Sequence, residues 1–297
     1  LPHSRGFNIG TVSSSNRAGD VNGDGIADFI VGYPYESVGS KGGAGVARVV
    51  FGRNASFSSH FGVSTMLTGR YTGFSILGAA ANDYTGVSVG AAGDVNSDGV
   101  DDVIVGAYMG DPPGLAVNSN AGVTYVIFGR RVTSDANAFK DIDLATVLTG
   151  PFTLFRIYGA AAGDWSGYAV SGAGDVNGDG FADVIIGAKA ATPFADRPAA
   201  GISYVIFGSE NISDVYLGSV VTGSPRGFRI LGSVSGDNSG QTVSDAGDVN
   251  GDGIDDVMVG ALTRTHDVRH ARARARATNP PRYATTTRPP AAGAAAR

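Results

Sequence analysis

The stretch Ala18-Gly-Asp-Val-Asn-Gly-Asp-Gly25, followed by Ile26-Ala27-Asp28 and a short apolar run, decides the reading of this chain. The same order returns from Ala92, with Ser97 in place of the second glycine, and from Ala173 and Ala246, at spacings of 74, 81 and 73 residues. Each copy leads into an apolar run, at 28–32, 102–106, 183–187 and 256–260. Three copies continue to a second run ending in Phe-Gly, at 46–52, 123–129 and 202–208. A Phe-x-Ile stretch follows at Phe74, Phe155 and Phe228, with an early one at Phe7. An alternating stretch such as 87–91 then enters the next Ala-Gly-Asp. Each unit therefore holds four strand signals and no amphipathic helical window. Long repeats of this kind predict an all-β fold, a β-propeller whose four-stranded blades bury their faces against their neighbours. The alternative, a parallel β-solenoid, has much shorter coils than these units.

The inventory predicts an incomplete propeller of about three full blades plus partial ones. Phe7 precedes Asp20 by 13 residues, whereas Phe74, Phe155 and Phe228 each precede their aspartate by 20. The fourth unit has no Phe-Gly run after Gly260-Ala261. Repeat signals cover 1–262. Residues 263–297 are rich in Arg, Ala and Pro and offer little to bury, so they are expected to be a disordered tail, with a basic arm for an anionic partner as the alternative.

Composition narrows the function. Glycine, at 46 residues, is about twice as common as usual and punctuates short apolar runs, as turns in an all-β protein require. The absence of cysteine excludes disulfides, thiolate metal sites and thiol catalysis. No apolar run is long enough for a membrane-spanning helix, and no signal peptide is visible at Leu1, where the chain opens in mid-repeat. The net charge of −5 hides a body, 1–263, with 14 basic against 26 acidic residues. So acidic a body is a poor nucleic-acid binder.

Much of that acid sits in the repeated loops, which keep Asp-x-Asn-x-Asp-Gly-x-x-Asp in all four copies. Such a loop offers a hard cation oxygens from positions 1, 3, 5 and 9 and a main-chain carbonyl from position 7, while the glycine at position 6 permits the sharp turn. The candidate ligands in loop 1 (20–28) are Asp20, Asn22, Asp24, the Ile26 carbonyl and Asp28. Loop 2 (94–102) offers Asp94, Asn96, Asp98, the Val100 carbonyl and Asp102. Loop 3 (175–183) offers Asp175, Asn177, Asp179, the Phe181 carbonyl and Asp183. Loop 4 (248–256) offers Asp248, Asn250, Asp252, the Ile254 carbonyl and Asp256. Plain hairpin turns would need no such crowding of mutually repelling carboxylates. The all-oxygen set predicts up to four Ca²⁺ ions in preference to Mg²⁺. These are not EF-hands, because position 12 is Val31, Val105, Ile186 or Val259 instead of glutamate, and a strand signal follows each loop.

Together with the Phe-Gly pairs and the Gly-Ala pairs Gly106-Ala107, Gly187-Ala188 and Gly260-Ala261, these loops resemble the FG-GAP repeats of integrin α-chains and their bacterial relatives. Gly32-Tyr33-Pro34 is a near match to Gly-Ala-Pro. The resemblance covers about residues 6 to 262. It implies a propeller with calcium in the hairpin between the first two strands of a blade. It also implies an extracellular or cell-surface module for adhesion or recognition of a protein or glycan, with ligand bound on the face away from the calcium loops. A calcium-rigidified array without a ligand, or an accessory propeller of a secreted hydrolase, are the alternatives.

No catalytic constellation is expected, so the chain reads as a non-enzyme. Gly86-Val87-Ser88-Val89-Gly90 fits a nucleophile-elbow pattern but lies between strand signals and lacks a histidine partner. On the face away from the cation loops, the connections entering each new blade carry Tyr84, Trp165 and Asn238 at matching positions, each after an aspartate. Tyr84 and Trp165 are the candidate partner-binding residues, against packing between blades as the alternative.

Overall fold

The computed structural model describes residues 13–54, 72–134, 138–146 and 153–262, with the backbone of 269–271. The early Phe-x-Ile stretch at Phe7 lies outside them. Among the described residues the fold is all-β, and its one helical piece is the 3₁₀ turn Leu217–Ser219.

Blade 1 runs β1 (Ser14–Gly19), β2 (Asp28–Tyr33), β3 (Val46–Val50) and β4 (Gly73–Leu77), paired antiparallel in that order. Blade 2 repeats the meander with β5 (Ser88–Gly93), β6 (Asp102–Ala107) and β7 (Val123–Ile127), detours through β8 (Ile142–Asp143), and ends with β9 (Leu154–Tyr158). Blade 3 has β10 (Ser166–Gly174), β11 (Asp183–Ala188), β12 (Ile202–Ile206), a detour β13 (Val215–Tyr216), and β14 (Gly227–Leu231). A partial blade 4 has β15 (Thr242–Gly247) and β16 (Asp256–Gly260), with β17 (Arg269–Ala271) beside β16. The cation loops thus join the first two strands of each blade. The detours are clasps. β8 leaves blade 2 to pair parallel with β4 of blade 1, and β13 leaves blade 3 to pair parallel with β9 of blade 2.

The first strands β1, β5, β10 and β15 lie side by side, which sets the blades face to face. Alternation along each strand then splits its side chains between two seams. In β6, Val103 and Val105 join Ile30, Val49 and Phe74 of blade 1, while Ile104 joins Val184 and Ile186 of blade 3. Burial on both faces explains why β6 and β11 read as unbroken apolar runs. In β16, Val257 and Val259 pack on blade 3, but Met258 on the other face is 46% exposed. This makes blades 1 to 4 a partial propeller in which, among the described residues, the Met258 face of blade 4 has no neighbouring blade.

The Ala-Gly-Asp triplet has a structural reason. Strand register slips by one residue between Arg17 and Gly19, and at the same point in blades 2, 3 and 4. The skipped residue is the small alanine, fully buried in the first three copies. The glycine after it takes a left-handed φ of +80° at Gly19 and +77° at Gly93, which ends the pairing and turns the chain into the loop.

Candidate metal centre

Each loop curls around its first aspartate. In loop 1 the Asp20 carboxylate accepts the N–H groups of Asp24 at 3.0 Å and Gly25 at 2.7 Å. Asp94, Asp175 and Asp248 do the same for positions 5 and 6 of their loops. The position-6 glycines Gly25, Gly99, Gly180 and Gly253 all sit at φ between +84° and +91°, which a side chain would strain. In loops 1 to 3 the asparagine is drawn to position 5, with Asn22 donating to Asp24 at 3.0 Å and accepting its N–H at 3.0 Å. The position-5 carboxylates accept the N–H of Ile26, Val100, Phe181 and Ile254 at 2.9 to 3.1 Å.

Position 9 stands apart. Asp28, Asp102 and Asp183 are buried at the start of the following strand. One oxygen of each accepts the N–H of position 2 (Val21, Val95, Val176), and the other accepts the glycine N–H of the Phe-Gly pair (Gly52, Gly129, Gly208). Burial pushes the Asp28 carboxyl up to about 7 and those of Asp102 and Asp183 to about 8. The two N–H bonds oppose that rise, and the other loop carboxylates add to it. In loop 4, which no other described blade covers, Asp256 is less buried and accepts from Val249 and Asn250. Exposed Asp248 is held below the usual carboxylate range, first by the N–H of Gly253.

The structure therefore gathers positions 1 and 5 of each loop by short hydrogen bonds, brings position 3 to them in loops 1 to 3, and in those loops ties position 9 to the glycine of the Phe-Gly pair. Among the described residues no three acidic or imidazole side chains converge as a finished cage. The donor chemistry still fits a hard cation: three carboxylates and an amide oxygen per loop, with no sulfur or imidazole. An ionised carboxylate has about four lone-pair sites, so accepting two N–H groups leaves capacity for a cation.

The Phe-Gly pair is a stitch between loops, a role its sequence did not disclose. Gly129 serves Asp102 of its own loop, and the next residue, Arg130, donates its N–H to the Val21 carbonyl of loop 1 at 3.0 Å. Ser209 does the same for Val95 of loop 2. A Cβ at Gly129 would lie 2.2 Å from the Asp101 carbonyl oxygen, so only glycine fits.

At the other end of the blades, Tyr84 and Trp165 join a chain of rings across the seams. Tyr35 meets Tyr84 at 5.5 Å, Tyr84 stacks on Tyr108 at 5.7 Å, and Tyr108 meets Trp165 edge-on at 5.8 Å. Lys189 lies over Tyr168, with its Nζ 3.2 Å from the ring centroid, and near Trp165. Tyr35 is 77% exposed, and Tyr84 and Trp165 are half-buried. Tyr108 and Lys189 were legible only by comparing repeats, since each directly follows a Gly-Ala pair, while Tyr168 lies on β10 with no signal that marks it as a member. Ser88 of the elbow-like pentad lies on β5, where its hydroxyl accepts the Val170 N–H across the seam at 3.0 Å.

Beneath Tyr84 and Trp165, buried Asp83 and Asp164 accept the N–H groups of Ala80 and Ala161. Burial pushes both carboxyls up to about 6. An acid whose pKa is raised on folding contributes stability below its unfolded value, and that stability is lost as pH rises through the folded value. The double variant Asp83→Asn/Asp164→Asn keeps the acceptor oxygens without the charge. By calorimetry it should gain on the wild type in Tm between pH 4.5 and pH 7.5, and a constant gap would show that neither carboxyl titrates there.

Against known proteins, the FG-GAP repeat matches residues 14–50, 85–127 and 166–206, which are the first three strands of blades 1, 2 and 3. Integrin alpha pat-2 of Caenorhabditis elegans is 29% identical over 255 residues, 83% of this chain and 17% of that protein. Integrin alpha-PS2 of Drosophila melanogaster is 28% identical over 192 residues, 64% of this chain and 11% of that protein. Integrin alpha-7 of Rattus norvegicus is 29% identical over 192 residues, 63% of this chain and 14% of that protein. The chain thus spans less than a fifth of the length of these relatives.

Proposed function

We propose, from the premise that this chain carries FG-GAP repeats, that it is a calcium-binding propeller segment for adhesion or recognition outside the cell. The observation that carries the reading is the recurrence of one acid-rich loop, with one curl and one left-handed glycine, at the same end of four successive blades. Asp20, Asn22, Asp24 and Asp28, with the Ile26 carbonyl, would hold the ion in loop 1, and the matching residues would do so in loops 2 to 4. Bound calcium would supply the positive charge that lets these carboxylates sit together. The chain's own part is to hold them, through the N–H groups curled on position 1 and the stitch on position 9. Extracellular calcium modules bind with Kd on the order of 10⁻⁴ to 10⁻³ M, in keeping with a site outside the cell.

The recognition face would be the aromatic chain at the opposite end, where rigid rings offer large contact area to a protein or glycan. Cells should adhere to surfaces coated with this protein in calcium and detach in EDTA; equal adhesion in both would remove the calcium-dependent recognition reading. Tyr84→Ala/Trp165→Ala locates the face. Adhesion should fall at least tenfold with Tm within about 3 °C of wild type, since surface truncations cost little stability. A large loss of Tm would instead make the two rings packing between blades.

A further inference from the structure

Position 8 of the loops is Ala27, Asp101, Ala182 and Asp255, an alternation outside the ligand pattern. The two aspartates turn away from their own loops. Asp101 of loop 2 accepts, on its Oδ2, the main-chain N–H of Asp20, the first residue of loop 1, at 2.8 Å. Asp255 of loop 4 accepts the N–H of Asp175, the first residue of loop 3, also at 2.8 Å. Both contacts cross a blade seam and both are part-buried. The glycine before each first aspartate makes room, since a Cβ at Gly19 would lie 2.3 Å from Asp101 Oδ2, and one at Gly174 would lie 2.1 Å from Asp255 Oδ2. Between loops 2 and 3 the corresponding residue is Ala182, which offers only its main-chain N–H, to the Asp94 carbonyl at 3.1 Å.

We propose that Asp101 and Asp255 are positioning residues that couple cation binding in pairs, loop 1 with loop 2 and loop 3 with loop 4; this rests on the calcium reading of the loops. Asp101 lies between the position-7 carbonyl and the position-9 carboxylate, so its backbone is fixed from both sides when loop 2 closes on an ion. Its carboxylate then holds the peptide N–H of the residue whose side chain opens loop 1. An empty loop 2 leaves Asp94 and Asp98 repelling one another, and the brace on Asp20 slackens with them. Such coupling is reciprocal: an ion in loop 1 favours one in loop 2 by the same factor. Loops 2 and 3, joined by main chain and by the Ser209 stitch alone, lack this brace. Four loops that each supply their own ligands are therefore not four independent sites.

The position-6 glycine amides of Gly25, Gly99, Gly180 and Gly253 report each loop separately by NMR as calcium is added. In Asp101→Ala the Gly25 midpoint should move to about tenfold higher calcium, within the usual 5- to 150-fold range of coupling, while Gly180 and Gly253 stay within about twofold. Asp255→Ala should do the same to Gly180 and spare Gly25. Asp101→Asn, which keeps an acceptor oxygen, should recover most of the loss. Ala182→Asp supplies the missing carboxylate and should tighten Gly99, which keeps the test open if an alanine variant fails to fold. If all four amides respond but the midpoints stay within twofold across these variants, the coupling is overturned. If no amide responds to calcium in folded wild-type protein, the calcium reading itself fails.

Discussion

Chelating calcium with EDTA is expected to lower the Tm of this protein by roughly 20–40 °C, since four sites, each held at 100 times its Kd and contributing about 2.7 kcal/mol, supply about 11 kcal/mol together, and each kcal/mol moves a domain of this size by about 2–4 °C. The expectation follows from where the acid sits. Twelve of the chain's aspartates lie at ligand positions of the four loops, and three of them, Asp28, Asp102 and Asp183, are buried. Without a cation these carboxyls are folded at a cost, which their raised pKa values express. The effect should spread beyond the loops, because the stitches from Arg130 and Ser209 and the Asp101 and Asp255 braces tie loops 1, 2 and 3 to the following blade. Calorimetry in calcium, in magnesium and in EDTA gives the answer. Magnesium should restore little, given its preference for near-octahedral sites. An unchanged melting curve in EDTA, for protein shown to be folded, would eliminate calcium as a structural ion.

The strands and loops were legible because their signals are local and repeated. A run such as Asp102-Val-Ile-Val-Gly-Ala107 announces a strand buried on both faces, and Asp-Gly at positions 5 and 6 announces the turn. The clasps β8 and β13 were not. Each is two residues long, and its partner belongs to the previous blade, so no periodicity marks it. Their common feature is a preceding aspartate: Asp141 accepts the Ser75 N–H and Asp214 the Arg156 N–H, both on the strand being clasped. Aligning the third connections of blades 2 and 3 would have exposed that pair. The position-8 aspartates were hidden for another reason. Beside the ligand at position 9 they read as one more loop acid, and only the seam geometry separates a brace from a ligand. Glycine was the most underread residue, taken as turn punctuation even where its φ is ordinary and the reason is contact.

Gly106→Ala is the sharpest case of that contact, and it should cost on the order of 3 kcal/mol, at the upper end for overpacking, because the obstacle is backbone. Gly106 lies on β6 in extended conformation, so alanine meets no conformational penalty there. An added Cβ, however, would lie 2.0 Å from the carbonyl oxygen of Gly167 at the start of blade 3. Gly32 and Gly187 face the same obstacle at 1.9 and 2.0 Å, from Gly86 and Gly240. The Gly-Ala pair thus sets how closely consecutive blades approach, and a methyl group must push two sheets apart or bend one of them. Two controls separate this from generic glycine effects. Gly42→Ala adds a Cβ with nothing within 4 Å and no left-handed φ, so its Tm should match wild type. Gly114→Ala also meets nothing but sits at φ +87°, so it should lose only about 1 kcal/mol of backbone strain. With about 2–4 °C of Tm per kcal/mol, Gly106→Ala should melt roughly 6–12 °C below wild type. If it melts no lower than Gly114→Ala, the seam has room for a side chain, and the glycine is there for something other than blade spacing.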